Sequence, residues 1–423
     1  MHDRDFFIRL FQAAVGAADP ERVIAAHLPP KPKGRTIVIG AGKGSAQMAS
    51  AFEKAWASAH GNAPIEGLVV TRYGFGTACR HIEIIEASHP VPDAAGLVAS
   101  RRLLETVSGL TADDLVVALI SGGGSALLPS PPEGMTIEDE IAINRMLLAS
   151  GAPISAMNAL RKHLSMIKGG RLAAAAHPAR VFSLIVSDIP GDNPAFVASG
   201  PTVADETTRE DALRIVERYG LDLPKIALAH LHSQKADAPK PSDAAFTGHE
   251  HHVIASAGVS LEAAASAARE MGVEAAILSD AIEGEAREVA HVHAALAKQV
   301  LARNQPFARP VVILSGGETT VTVRGKGKGG RNSEFLLSLA IDIDGSDGIS
   351  AFAADTDGID GSEDNAGAFA DSTSIARMLA KGHDAATYLN GNDAWSAFNA
   401  VGDLFVPGPT GTNVNDLRAI LIR

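Results

Sequence analysis

The run Leu115-Val116-Val117-Ala118-Leu119-Ile120 is apolar at every position and ends abruptly in Ser121-Gly122-Gly123-Gly124-Ser125. A strand that is apolar on both faces has to be covered on both, the situation of a strand inside a parallel sheet flanked by helices. The device recurs. Thr36-Ile37-Val38-Ile39-Gly40 runs into Ala41-Gly42-Lys43-Gly44-Ser45, and Val181-Phe182-Ser183-Leu184-Ile185-Val186 into Ser187-Asp188-Ile189-Pro190-Gly191-Asp192-Asn193. Val311-Val312-Ile313-Leu314 leads to Ser315-Gly316-Gly317, and Ile349-Ser350-Ala351-Phe352-Ala353-Ala354 to Asp355-Thr356-Asp357-Gly358-Ile359-Asp360-Gly361. Alanine-rich stretches of helical period lie between them, and Phe6 to Ala26 reads as one further helix. This alternation predicts an α/β protein with a Rossmann-like doubly wound parallel sheet in its first half.

At 423 residues the chain is too long for a single ordinary core. The polar, proline-bearing stretch from His232 to Pro241 places the expected division there, giving domains 1–238 and 239–423. With 37 basic and 49 acidic residues the net charge is −12, which argues against a general binder of nucleic acid or anionic membrane. The single cysteine, Cys79, excludes an intrachain disulfide and a cysteine-based metal site. No apolar run approaches the roughly 20 residues that span a bilayer, and the N-terminus does not read as a signal peptide. A soluble, cytoplasmic protein is expected. His249-Glu250-His251-His252 reads as a polar linker at the domain seam in preference to a metal tract.

Against the acidic whole, Arg324 to Arg331 packs four glycines and four cations into eight residues, and a helix follows. Glycine permits close approach of backbone N–H groups, and a helix N-terminus favours negative charge, so a phosphate or carboxylate ligand is expected there; a solvated basic hairpin tip is the alternative. Lys43 sits in a glycine turn opening a helix, but the turn is neither a Walker loop (Ile37 and Gly44 break the pattern) nor an intact dinucleotide fingerprint (Ser45 replaces the third glycine). It offers a mobile cation near an anionic group, or a plain turn. The Ser121–Ser125 and Ser315–Gly317 turns, at ends of expected parallel strands, can aim N–H groups at an anion or serve only as turns. Asp188, Asp192, Asp355, Asp357 and Asp360 could hold Mg²⁺ or accept a proton, and could equally cap helices. His89, and His163 beside Arg161 and Lys162, are candidate anion contacts, His163 also reading as a polar helix-face residue.

Five of these stretches together resemble one family. They are Gly40-Ala41-Gly42-Lys43; Ser121 to Leu127; Ser187 to Asp192; Ser315-Gly316-Gly317-Glu318-Thr319-Thr320 running on to Gly329-Gly330-Arg331-Asn332; and Asp355 to Gly361. In order and spacing they are similar to the class II glycerate kinases, the glycerate 2-kinases with a C-terminal MOFRL domain, over essentially the whole chain. The resemblance implies two α/β domains with the active site in the cleft between them and the MOFRL region at about 310–420. It implies phosphorylation of D-glycerate to 2-phospho-D-glycerate by ATP with Mg²⁺. The family's catalytic lysine and arginine match Lys43 and Arg331, and Asp188 joins them as base or metal ligand. Substrate is expected on Ser121, Gly122, Gly123, Gly124, Ser125, His89, Asp192 and Asn193. Nucleotide is expected on Gly40, Gly42, Ser315, Gly316, Gly317, Glu318, Thr319, Lys326, Lys328 and Gly330, and Mg²⁺ on Asp188, Asp192, Asp355 and Asp357. The expected partners are D-glycerate and ATP, without nucleic acid or membrane, and a homodimer is one assembly left open. Some relatives carry the name hydroxypyruvate reductase, so reduction by NAD(P)H is the alternative reading and non-catalytic metabolite binding a second.

Overall fold

The structure, a computed structural model, describes residues 2–61 and 63–423. The chain forms two compact units, one of residues 20–254 and one that joins the chain up to Asp19 with Ala255–Arg423. The division expected at 238/239 therefore differs from the observed one at both ends of the chain. The polar stretch around His232–Pro241 still belongs to the first unit, because one more strand of its sheet follows.

That first unit is built on six strands, β1 (Thr36–Ala41), β2 (Ile65–Arg72), β3 (Ile82–Ala87), β4 (Leu115–Ser121), β5 (Arg180–Val186) and β6 (Glu250–Ala255). Their order is β3-β2-β1-β4-β5-β6, with β3 through β5 all parallel. This is the doubly wound order in which the chain reverses direction across the sheet between β1 and β4. Every residue of β1 and β4 is buried, as their unbroken apolar sequence requires. The histidine tract is not a linker: Glu250, His251 and His252 begin edge strand β6, where His252 packs 4.7 Å from the ring of Phe182.

Beside the sheet, the helices Ile137–Ala149 and Ile154–His163 share a separate apolar cluster that includes Ile143, Leu147, Met157, Leu160 and Leu164. The first opens on a capping box in which Thr136 and Asp139 exchange backbone and side-chain hydrogen bonds.

The second unit has strands β7 (Glu274–Ser279), β8 (Gly284–Glu285), β9 (Val311–Ser315), β10 (Thr319–Thr320), β11 (Ile349–Asp355), β12 (Gly367–Asp371), β13 (Leu404–Phe405) and β14 (Asp416–Ile422). Six form a mixed sheet in the order β13-β12-β11-β14-β9-β7, in which only the β7–β9 pair is parallel, while β8 and β10 make a two-stranded ribbon. Thus β9 does end in Ser-Gly-Gly, but it is parallel to one neighbour only.

The expected helix from Phe6 to Ala26 is two helices, Asp3–Ala17 and Pro20–Ala26. Pro20 cannot donate into a continuing helix, so it starts a new one, and the chain changes unit at that point. The helix Asp3–Ala17 buries Phe6, Phe7, Leu10, Phe11 and Ala14 in a core shared with Leu261, Ala264, Ala265, Ala268 and Phe352. No helix among the described residues is long and apolar enough to cross a membrane.

Candidate functional site

In the first unit the glycine turns after β1 and β4 lie side by side, since Ala41 pairs with Ile120 at the ends of their strands. They are bonded to each other. Lys43 N donates to Gly122 O at 2.8 Å, and Gly44 N donates to Ser121 Oγ at 3.0 Å. This is the switch point of the sheet, outside the carboxyl ends of its strands, where open α/β sheets take ligands. Gly123 has φ +80°, and a Cβ there would stand 3.0 Å from both His89 Nε2 and Lys43 Cγ, so only glycine lets these two side chains close on the turn. The N–H groups of Gly123, Gly124 and Ser125 have no acceptor among the described residues, and the Lys43 ammonium has no ion-pair or hydrogen-bond partner among them. Free donors and a free cation in one place suit an anion. Asp188, just past β5, packs so close to the same turn that a Cβ on residue 122 would lie 1.9 Å from its Oδ2.

Next to this turn is a cavity of about 170 Å³ lined by His89, Pro90, Val91, Pro92, Gly123, Ser125, Ala126, Ile141, Asn144, Arg145, Leu148, Arg161 and Lys168. Positions 141, 144, 145 and 148 are one face of the helix Ile137–Ala149, at the i, i+3, i+4, i+7 spacing. Arg161 comes from the helix Ile154–His163 and Lys168 from the loop after it. Lys168 is balanced by buried Glu140 at 2.8 Å. Burial, with the positive charges of Lys43 and Arg72, pushes the pKa of His89 down to about 4, so His89 is neutral at physiological pH.

The second unit answers the expectations differently. Its basic loop does not present a backbone cradle. Arg324 N and Gly325 N donate to Asn392 Oδ1 at 2.7 and 3.0 Å, Gly327 N to Gly391 O at 3.1 Å, Lys328 N to Asp393 Oδ1 at 2.9 Å, and Gly330 N to Ser333 Oγ at 3.2 Å. A Cβ on residue 325 would lie 2.0 Å from Gly391 O. The glycine is there to let two backbone segments touch. The N-terminus of the helix Arg331–Asp342 is likewise taken: buried Asp360 accepts from Asn332 N at 2.9 Å, Ser333 N at 2.8 Å and Ser333 Oγ. Asp360 is the capping alternative realised, and its burial keeps its pKa above the ordinary carboxylate value despite these donors.

Arg331 donates to Asp416 at 2.9 Å, Asp355 at 2.7 Å and Glu318 at 2.9 Å, and those three carboxylates raise its pKa against the opposing effect of burial. Burial raises the pKa of Asp355 well above the usual range. Asp355 also accepts from Asp357 N at 3.0 Å. Ser315 Oγ meets buried His293 Nε2 at 3.0 Å, Gly316 N donates to Ser279 O at 2.8 Å, Gly316 O accepts from Arg418 at 3.0 Å, and Arg418 also donates to Thr319 Oγ1 at 3.2 Å. Lys328 reaches Glu363 at 3.3 Å. A cavity of about 280 Å³ remains, lined by Thr319, Val321, Gly329, Gly330 and Arg331 among others.

Of the residues expected from the sequence, Gly40, Gly42, Lys43, the Ser121–Ser125 turn, His89 and Asp188 lie together at the first sheet's switch point. Asp192 and Asn193 sit in the turn after Asp188 but do not line the cavity, and Asn193 Oδ1 accepts from Ala195 N at 3.0 Å. His163 is a buried structural residue, Nδ1 2.8 Å from Ala236 O and Nε2 3.2 Å from Thr207 Oγ1. Among the described residues no group of three or more His, Cys, Asp or Glu is arranged to hold a metal ion. The sequence pattern does not mark Arg145 and Lys168, which line the first unit's cavity; the 141-144-145-148 spacing is the one available signal for the first.

Two family models match: one described as a domain of unknown function (DUF4147) over residues 6–232, and the MOFRL family over residues 311–416. The chain is 52% identical over 421 residues to an Agrobacterium vitis protein provisionally named a hydroxypyruvate reductase, covering 99% of this chain and 94% of that protein. It is 38% identical over 416 residues to the D-glycerate 2-kinase of Thermotoga maritima, covering 98% and 97%. The crystal structure of glycerate kinase from Thermotoga maritima superposes with a TM-score of 0.89 at 38% identity, covering 99% of each chain. With two α/β units, a MOFRL match in the second and full-length likeness to glycerate 2-kinases, the chain belongs to the MOFRL-domain glycerate kinase family.

Proposed function

We propose that this protein transfers the γ-phosphoryl group of ATP to the 2-hydroxyl of D-glycerate, giving 2-phospho-D-glycerate and ADP. The observation that carries the reading is the Lys43 ammonium, without a partner among the described residues, set against a glycine turn in which the N–H groups of Gly123, Gly124 and Ser125 also have none there, beside a small cationic cavity. Positioning and electrostatic stabilisation are most of what phosphoryl transfer asks of a protein. Lys43 stabilises negative charge on the group in transit, and the N–H groups of Gly123, Gly124 and Ser125 hold oxygens of the donor or acceptor. Asp188, against the same turn, takes the proton of the attacking hydroxyl or holds a nucleotide-bound Mg²⁺, which needs only one or two protein carboxylates and neutralises phosphate charge when present. Asp355, already committed to Arg331 and Asp357, fits a metal poorly.

The test is ADP release with D-glycerate, followed by ³¹P identification of the product. Lys43→Met should lower kcat by about 10²–10³-fold with the melting temperature unchanged. A wild-type protein that oxidises NAD(P)H with hydroxypyruvate and releases no ADP would overturn the reading in favour of a reductase. The turn geometry speaks against that outcome. No acid ends β2 to take a ribose hydroxyl, and Arg72 there lies over the Phe75 ring at 3.6 Å.

A further inference from the structure

We infer that the 170 Å³ cavity is the pocket for the substrate's carboxylate, with Arg161 as its anchor, and that Asn158 and Ser199 position that anchor relative to the Ser121–Ser125 turn. This rests on the acid-kinase reading above. At roughly 30 Å³ per water the cavity holds about five or six waters, room for a three-carbon acid.

The charge balance of the cavity wall points to an anion. Lys168 is neutralised by Glu140, whose other oxygen accepts from Ser130 N at 3.2 Å. Arg145 and Arg161 have no carboxylate within ion-pair distance among the described residues, and Glu140, whose charge also acts on Arg161, is already bonded to Lys168. Arg161 is only partly exposed and is aimed by amides in place of acids: Nε donates to Asn144 Oδ1 at 2.8 Å and Nη1 to Asn158 Oδ1 at 3.4 Å. Its Nη2 makes no hydrogen bond among the described residues. A partly buried cation held by neutral acceptors is what a bidentate carboxylate site requires, because a resident acid would compete with the ligand.

The anchor is tied to the reaction turn by a short chain of bonds. Ser125 Oγ lies 2.7 Å from Ser199 Oγ, which donates to Asn158 Oδ1 at 3.2 Å, the same oxygen that accepts from Arg161. Ser199 is fully buried and has φ +60°, and Ala198 before it has φ +52°. Two successive non-glycine residues in the left-handed region are strained, and such strain persists where the surroundings over-determine it. Here it delivers the Ser199 hydroxyl to the one place where it can bridge Ser125 and Asn158.

The experiment compares wild type, Arg161→Met, Arg161→Lys and Ser199→Ala by steady-state kinetics and by calorimetric titration with D-glycerate. Arg161→Met should raise the KM for D-glycerate about 10–100-fold and weaken its binding to match, with the KM for ATP unchanged. Arg161→Lys should fall between, since lysine keeps the charge and loses the fork. Ser199→Ala should lower kcat more than it changes either KM. Equal shifts in both KM values, or an unchanged KM for D-glycerate in Arg161→Met, would overturn the inference. Should Arg161→Met fail to fold, an unchanged KM in Arg161→Lys overturns it instead. A wild type that releases no ADP yet binds D-glycerate through Arg161 would sink the kinase reading and keep the pocket; binding indifferent to Arg161 would sink the pocket.

Discussion

Lys43 and Arg331 are the two cations that the family pattern marks, and their surroundings are opposite. Lys43 has no partner among the described residues, whereas three carboxylates hold Arg331. Replacing each should therefore give different signatures. Lys43→Met leaves nothing buried unpaired, so its effect belongs to turnover. Arg331→Met leaves Asp355 buried without its cation, while Asp416 keeps Arg418, and should cost about 3–5 kcal/mol of stability as well as activity. The pH dependence has a definite sign. Burial already raises Asp355, and Arg331 is what lowers it; removing Arg331 raises it further. A carboxylate whose folded pKa exceeds its unfolded value stabilises the fold below the unfolded pKa and loses that stabilisation as pH rises through the folded one. The destabilisation of Arg331→Met in urea should thus be smaller at pH 5 than at pH 8; an equal cost at both would refute this account. The place of Lys43 was legible from the sequence, because an apolar strand, a glycine turn and a helical run follow one another there without a gap. The carboxylates around Arg331 were not, since Asp416 and Glu318 lie far from each other along the chain.

Two glycine-rich stretches looked alike as sequence and became different objects. After β4 the N–H groups of Gly123, Gly124 and Ser125 stay open among the described residues, while in the 324–330 loop five of seven are bonded, to Asn392, Gly391, Asp393 and Ser333. The partners that decide this are up to 68 residues away, beyond the reach of local pattern. The strands were the most readable part, because burial on both faces writes itself as unbroken apolar runs. The caps were less so: Asp360 sits in a turn that could as well have held a metal. Removing it with Asp360→Ala strips two N–H groups and a hydroxyl of their acceptor and should cost about 1–3 kcal/mol. It also vacates the helix N-terminus. Sulfate should then raise the melting temperature of Asp360→Ala by more than it raises that of wild type, and an equal rise would contradict the capping role.

The division of the whole molecule was the least legible feature, because an amphipathic helix does not announce which core it joins. The helix Asp3–Ala17 is an integral layer of the second unit: Asp3 accepts from Ser350 Oγ at 2.7 Å, Ala14 O accepts from Ser260 Oγ at 2.9 Å, and Phe7 stacks 5.9 Å from Phe352. Burying a Phe or Leu side chain contributes about 1.5–3 kcal/mol, so losing four of them removes about 6–12 kcal/mol, comparable to the whole stability of an ordinary domain. Residues 255–423 expressed alone should accordingly give the collapsed NMR amide dispersion of an unfolded chain. Supplying residues 1–19 through a linker should restore it; folding without them would refute the assignment.

This discontinuity has a consequence for synthesis. The helix Asp3–Ala17 leaves the ribosome ahead of residues 20–254, and its docking surface comes only after they have been made. At ~5–20 residues per second that interval is on the order of ten to fifty seconds. Throughout it, three phenylalanines and a leucine that end up in a core are without one. The nascent chain carries a greasy segment of the kind that holding chaperones grip, and the second unit can close only once residues 255–423 have followed.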